Sequence, residues 1–290
     1  MISLGAAACF ALMAALIKMA GETLPVVQIL LVRQIVMLAI IAPALWGISL
    51  RSAYATKRPL LQLARITFAL IAMLCGFTAV VHMPLADATA IMFAKSFFVT
   101  IFAVLVLRET VGVYRWSAVA LGFVGVIVML KPGTDSFTIY SLYALISAAC
   151  AGLVMVIIRL LSRTESTQTI MLYQATGVGL IIAIPGILAW QMPTLTEWLL
   201  LGAIGFVSYT GQVMNINAFR LGEASLLATL EYSRLLYATC LGWLLFGSLP
   251  AVSTWIGAFI IVAAAVFTIH REARRKQSML SSSAAANPVP

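Results

Sequence analysis

The chain has 290 residues, 63% of them apolar and only 9% charged, and its mean hydropathy is +1.08. A soluble domain is roughly 45–50% apolar and about 25% charged; no globular core hides this much apolar surface, which argues against a soluble enzyme and excludes a receptor with a folded ectodomain. The net charge of +9 fits the Lys- and Arg-rich loops of a membrane protein, and no basic face with base-stacking aromatics points to nucleic acid.

A membrane-spanning helix needs about 20 mostly apolar residues. Pro, Gly and charge divide the chain into ten runs of this kind, at 2–19, 25–48, 61–82, 85–107, 113–131, 138–161, 167–190, 195–219, 222–247 and 251–270. They lack the period-2 alternation and roughly 10-residue length of barrel strands, so the expected fold class is an all-α integral membrane protein with ten transmembrane helices. Span 1 begins almost at once and has no basic segment before it, so it does not read as a cleaved signal peptide; whether a short native segment precedes it stays open. The four cysteines lie inside apolar runs without CxxC or His spacing, so neither disulfides nor a metal site is expected. Residues 271–290 are polar, small and Pro-containing, the composition of a disordered tail.

Orientation follows from the loops. Those after the even-numbered spans hold Arg51, Lys57, Arg58, Arg65, Arg108, Arg115, Arg159, Arg163, Arg220, Arg271, Arg274, Arg275 and Lys276, against Lys18 and Lys131 on the other side. Thirteen against two places both termini in the cytoplasm by the positive-inside rule. Three cations remain within spans: Arg33, Lys95 and Arg234.

The two halves echo each other. ALMAALIK, ending at Lys18, matches GLVMVIIR, ending at Arg159; QILLVRQ around Arg33 matches QTIMLYQ around Tyr173; PLADATA matches RLGEASL; Trp116 matches Trp255. The offset stays between 136 and 141. Five helices per copy is an odd number, so the second copy enters the membrane from the opposite face, the inverted repeat common among secondary transporters. The expected repeats are 2–133 and 137–270.

The stretches FALMAALIK, PVVQILLVRQ, RETVGVYRWSAVALGFVGVIVMLKPG and LEYSRLLYATCLGWLLFG resemble the repeated helix ends of the EamA-type branch of the drug/metabolite transporter superfamily. The resemblance implies a ten-helix, five-plus-five transporter of amino acids or other metabolites, without giving direction. Two positions depart from the family pattern: Ala94-Lys95-Ser96 stands where span 4 usually carries a proline, and Phe246-Gly247-Ser248 where span 9 usually ends FGE.

Candidate site residues follow from depth. Lys95 lies ten residues into span 4 and Glu231 nine into span 9, roughly 14–15 Å deep at 1.5 Å per residue. Both sit near the middle of a ~30 Å hydrocarbon layer, at corresponding places in the two repeats. A charge facing lipid there costs at least about 2.5–3.5 kcal/mol, so both should face the interior. One reading gives Lys95 a substrate carboxylate and Glu231 an ammonium group or coupling proton; the competing reading is a fixed salt bridge of Glu231 with Lys95 or Arg234. Arg33, roughly 12 Å into span 2, either binds an anionic group or snorkels to the interface. Ser208, Gln212 and Asn215 share one face of span 8, with Tyr209 beside them, and either line a cavity or hold helices together. Tyr173 and Gln174 are further wall candidates. His82 and the aromatics Trp46, Trp190, Trp198 and Tyr114 read as interfacial anchors. Small residues in span 5 (Ala118, Gly122, Gly125) and span 10 (Gly257, Ala264) permit close helix contact within the monomer or in a homodimer.

No Walker loop or catalytic set is present, and no cofactor is expected. These features predict an inner-membrane secondary transporter for a small zwitterionic metabolite such as an amino acid or derivative, by facilitated or by proton- or ion-coupled exchange. A vitamin-like heteroaromatic cargo is the alternative within the class, and a non-transporting signalling or assembly subunit the alternative outside it.

Overall fold

The computed structural model describes residues 2–45, 49–107, 113–130, 138–221, 233–260, 262–263 and 266. Among these every regular element is a helix, as expected where each backbone N–H and C=O must be met within its own segment. Helix α1 is Ile2–Ala20, α2 Val26–Ile41, α3 Pro59–His82, α4a Leu85–Met92, α4b Lys95–Leu107, α5 Val113–Leu130, α6 Ile139–Leu161, α7 Thr167–Leu188, α8 Leu195–Leu221 and α9 Ser233–Phe246; α10 covers residues 252–260. Counting α4a and α4b together, ten helices stand where the ten apolar runs were read. Five of them, α3, α4a with α4b, α6, α7 and α8, are long and apolar enough to cross a membrane; the described parts of α1, α2, α5 and α9 are apolar but shorter.

Local chemistry sets the boundaries. Pro25 and Pro59 open α2 and α3, where a missing N–H costs nothing. Ser166 caps α7 by accepting from the Thr169 N–H at 3.0 Å. Thr194 and Glu197 form a capping box at α8: the Glu197 carboxylate accepts from the Thr194 N–H at 2.6 Å, and the Glu197 N–H donates to Thr194 Oγ1 at 3.4 Å. Lys18, read as a loop cation, instead turns into the bundle. Its ammonium donates to the Val80, Val81 and Met83 carbonyls at 3.3, 3.3 and 2.6 Å, closing the C-terminal end of α3, where a cation is favoured.

Span 4 is not one helix. At Phe93 and Ala94 the backbone switches to i→i−3 bonds, with the Phe93 N–H on Ala90 O at 3.1 Å and the Ala94 N–H on Ile91 O at 3.0 Å. Ser96 Oγ donates to Phe93 O at 2.6 Å. The break therefore exists without the proline. Gly152 of α6 lies against it: a Cβ there would stand 3.1 Å from Lys95 O and Val99 N and 2.8 Å from Phe98 Cβ.

The helices pack in a regular scheme. Helix α1 runs along α8 and α9; α6 runs along α3 and α4b; α2 packs on α7 and α8, α7 on α3, and α4a on α9. Exchanging helix numbers 1 for 6, 2 for 7, 3 for 8 and 4 for 9 returns the same set, α2 with α7 and α4 with α9 mapping onto themselves. The loops follow the same scheme. Glu165, between α6 and α7, accepts from the Lys57 N–H at 2.9 Å and from Thr56 Oγ1 at 3.1 Å, just before α3. Thr23, between α1 and α2, donates to Glu197 at the start of α8. The outer surface is apolar: Leu60, Leu180, Leu188 and Phe259 are each at least 75% exposed. Gly122 of α5 packs against the Phe97 ring of α4b, so that small residue serves a contact inside the monomer.

Candidate functional site

Among the described residues two guanidinium groups are fully buried. Arg33, in mid-α2, is 2% exposed. Its Nε donates to Ser208 Oγ at 2.7 Å, and Nη1 approaches Gln34 Oε1 at 3.4 Å and Met73 Sδ at 3.5 Å. The guanidinium carbon lies 5.9 Å from the centre of the Phe77 ring, in cation–π range. Ser208 Oγ in turn donates to Met13 Sδ at 3.0 Å. Helices α1, α2, α3 and α8 each contribute a side chain to this cluster. Arg33 and Ser208, separate candidates in the sequence, are in direct contact in the fold. Every described partner of Arg33 is neutral: a hydroxyl, an amide oxygen, a thioether and an aromatic face. A desolvated cation in such surroundings is costly unless an anionic group joins it. The snorkelling alternative for Arg33 is not what the fold adopts.

The second guanidinium was misplaced by the sequence reading. Arg65, counted there as a loop cation, lies seven residues into α3 with no exposure. Nη1 donates to Ile170 O at 2.8 Å, and Nη2 donates to Gln174 Oε1. Gln174, a wall candidate from the sequence, is buried and has Arg65 as its partner. The readable signal was the segment LQLARITFAL, where Gln62 and Arg65 stand at i, i+3 on the face that also buries Ala69, Gly76 and Val80. Met13, Met73 and Phe77, which complete the Arg33 cluster, carried no sequence signal beyond their apolar character.

Other candidates divide. Tyr173 does not join Arg33: its hydroxyl donates to Tyr54 O at 2.8 Å, and the two rings meet edge to face at 5.4 Å. Gln212, Asn215 and Tyr209 are half-buried along α8. Tyr209 packs on the cluster of Met37, Ile41, Met171 and Ile216. Lys95 is half-buried at the first position of α4b, directly after the break. Arg234, in the first turn of α9, lies over the Phe10 ring of α1 at 5.6 Å. Glu231 lies outside the described residues, and with it the proposed pairing with Lys95. Trp46 also lies outside them. His82 stacks on Tyr140 at 4.3 Å, and Trp190 and Trp198 meet at 6.1 Å. Among the described residues no group of three or more His, Cys, Asp or Glu is arranged to hold a metal ion.

A groove of about 800 Å³ runs between α2 and α7, with Tyr54 at one end and Trp190 at the other. Its walls include Ile35, Leu180 and Ile187, which are 53%, 75% and 66% exposed. Gln34 is the residue it shares with the Arg33 cluster.

The sequence pattern of the EamA-like transporter family matches this chain twice, over residues 1–131 and 138–270. The chain is 29% identical over 259 residues to the riboflavin transporter of Vibrio cholerae, covering 88% of this chain and 86% of that one. It is 33% identical over 265 residues to the pseudopaline exporter of Pseudomonas aeruginosa, covering 89% and 90%. It is 28% identical over 231 residues to the S-adenosylmethionine uptake transporter of Rickettsia prowazekii, covering 80% and 78%. A solved crystal structure with 18% identity superposes with a TM-score of 0.65, covering 91% of this chain and 94% of that one, which is a likeness of fold. The chain therefore belongs to the EamA-like transporter family, as a multi-pass membrane transporter of a small metabolite and not an enzyme.

Proposed function

We propose that this protein is a secondary transporter of the bacterial inner membrane, with both termini cytoplasmic, that moves a small zwitterionic metabolite by alternating access. Its two halves, 2–133 and 137–270, act as inverted repeats about a central site at Arg33 and Ser208. The observation that carries this reading is the buried Arg33 guanidinium, whose described partners are all neutral. A carboxylate of the cargo supplies the missing charge. Lys95 and Glu231 serve the cargo's charged ends or a coupling proton, since ionised groups at this depth are functional by default.

The exchange pattern of the helix pairs supports the repeat reading, as does the crossing of loop contacts between halves. The cation bias of the loops supports the orientation, and it survives the removal of Arg65 and Lys18, both drawn into the bundle. Bacterial relatives support the inner membrane.

A second reading is favoured by Met13, Met73 and Phe77 around the guanidinium: these apolar, polarisable faces suit a flat heteroaromatic cargo. The names of the relatives span both chemistries, riboflavin being a heteroaromatic and S-adenosylmethionine an amino acid joined to one. Proteoliposomes challenged with a metabolite mixture decide between them. Saturable movement of an amino acid or derivative, lost in Arg33→Gln at normal membrane insertion, is the expected result. Movement of neutral heteroaromatics alone, unchanged in Arg33→Gln, would overturn the zwitterion reading.

A further inference from the structure

A separate polar site lies between the starts of α3 and α7. Gln62 and Arg65 stand one turn apart on the buried face of α3, at 1% and 0% exposure. Arg65 reaches α7 through Ile170 O and Gln174 Oε1. Arg65 Nε, Gln174 Nε2 and both polar atoms of the Gln62 side chain are buried without a hydrogen-bond partner, as is Thr167 Oγ1, one turn before Ile170. No acidic residue among the described ones pairs with Arg65; Glu165, at the same end of α7, accepts from Thr56 and Lys57. Buried donors left unmet are costly, and a fold gathers several at one place when something else meets them. Both helices begin at this end, so their N-terminal dipoles add to the positive potential. The second repeat has no such site. At any offset from 136 to 141, the counterparts of Gln62 and Arg65 fall between Trp198 and Phe206, a stretch without a polar side chain.

The geometry points to a carboxylate-binding station at the cation-rich end of the bundle, formed by Arg65, Gln62 and Gln174 and present in one repeat only. Arg65 Nε and the two amide groups donate to the carboxylate oxygens, and Gln62 Oε1 accepts from a neighbouring hydroxyl or amine of the same molecule. That the carboxylate belongs to the cargo rests on the transporter reading; that an anion binds here does not.

Purified protein in nanodiscs, heated in increasing potassium acetate and separately in potassium chloride, tests the site. The same series on Arg65→Gln gives the non-specific salt effect. Acetate should stabilise the wild type saturably, and Arg65→Gln should abolish that response. Gln62→Leu should raise the half-saturating concentration about tenfold or more, the loss of one hydrogen bond to a charged group. If Arg65→Gln does not fold, Gln62→Leu and Gln174→Leu carry the comparison. Equal acetate responses in wild type and variants would overturn the site. A tighter, Arg65-dependent response to chloride would overturn the carboxylate assignment in favour of a resident inorganic anion. A protein that binds acetate through Arg65 yet moves no metabolite would unseat the transporter reading and leave this site standing.

Discussion

At the scale of single residues, depth in a span led to the buried Arg33 but not to its partners. Arg33 was legible because a guanidinium in mid-span has to turn inward, and Ser208 because it began a polar face. That the two touch was not legible: α2 and α8 are far apart in sequence, and no local pattern encodes their register. Tyr173 shows how little repeat alignment says about partners. It aligns with Arg33 in the repeat, but its hydroxyl ends on Tyr54, since repeat alignment equates positions and not side-chain reach. Arg65 counts with the cations after span 2 in the sequence; at 1.5 Å per residue it lies roughly 9 Å inside α3.

The same scale holds the clearest test of Lys95 and Glu231. If they only neutralise each other, Lys95→Met or Glu231→Met alone leaves an uncompensated buried charge and harms folding, while the double variant recovers. If they contact opposite ends of a zwitterion, the double variant folds but transport stays lost. The second pattern is expected, read by membrane yield and vesicle uptake. Full transport by the folded double variant would remove both residues from the cargo site.

At the scale of elements, the break in span 4 separates local sequence from tertiary cause. The resemblance to the family led to a proline being sought at Ala94-Lys95-Ser96, and its absence left the break unanticipated. The structure supplies two other causes: Ser96 Oγ donates to the Phe93 carbonyl beside the Ser96 N–H, and Gly152 lets α6 press against the backbone at Lys95 and Val99. These make different predictions. Gly152→Ala forces a methyl group against backbone atoms, and overpacking of this kind costs about 1–3 kcal/mol. Ser96→Ala removes one neutral hydrogen bond, a net loss of about 0.5–1.5 kcal/mol. Thermal unfolding of the two variants should therefore rank Gly152→Ala as the more damaging. The reverse order would mean that the serine, and not the close helix approach, holds the break.

At the scale of the whole molecule, the count and order of helices were readable because apolar length and loop charge are additive along a chain. The packing scheme was not, since it depends on which helices share a face. Orientation has a direct check: a reporter fused after Lys276 should be active only in its cytosolic form, and periplasmic activity there would reverse the assigned topology.

The pairing of α1 with α8 and α9 also bears on how the protein is made. The buried face of α1 is mostly alanine, with Ala7, Ala11, Ala14 and Ala15 each at or below 3% exposure, and its two most extensive neighbours, α8 and α9, belong to the last third of the chain, α3 being a lesser one. Domains are usually assembled in the order in which they leave the ribosome. Here the first helix synthesised waits for nearly the last ones before its small-residue face is covered. Until then α1 holds only its smaller contacts, chiefly with α3, where Lys18 meets the Val80, Val81 and Met83 carbonyls, so translation that stops within α8 leaves most of that alanine face on lipid or on the insertion machinery.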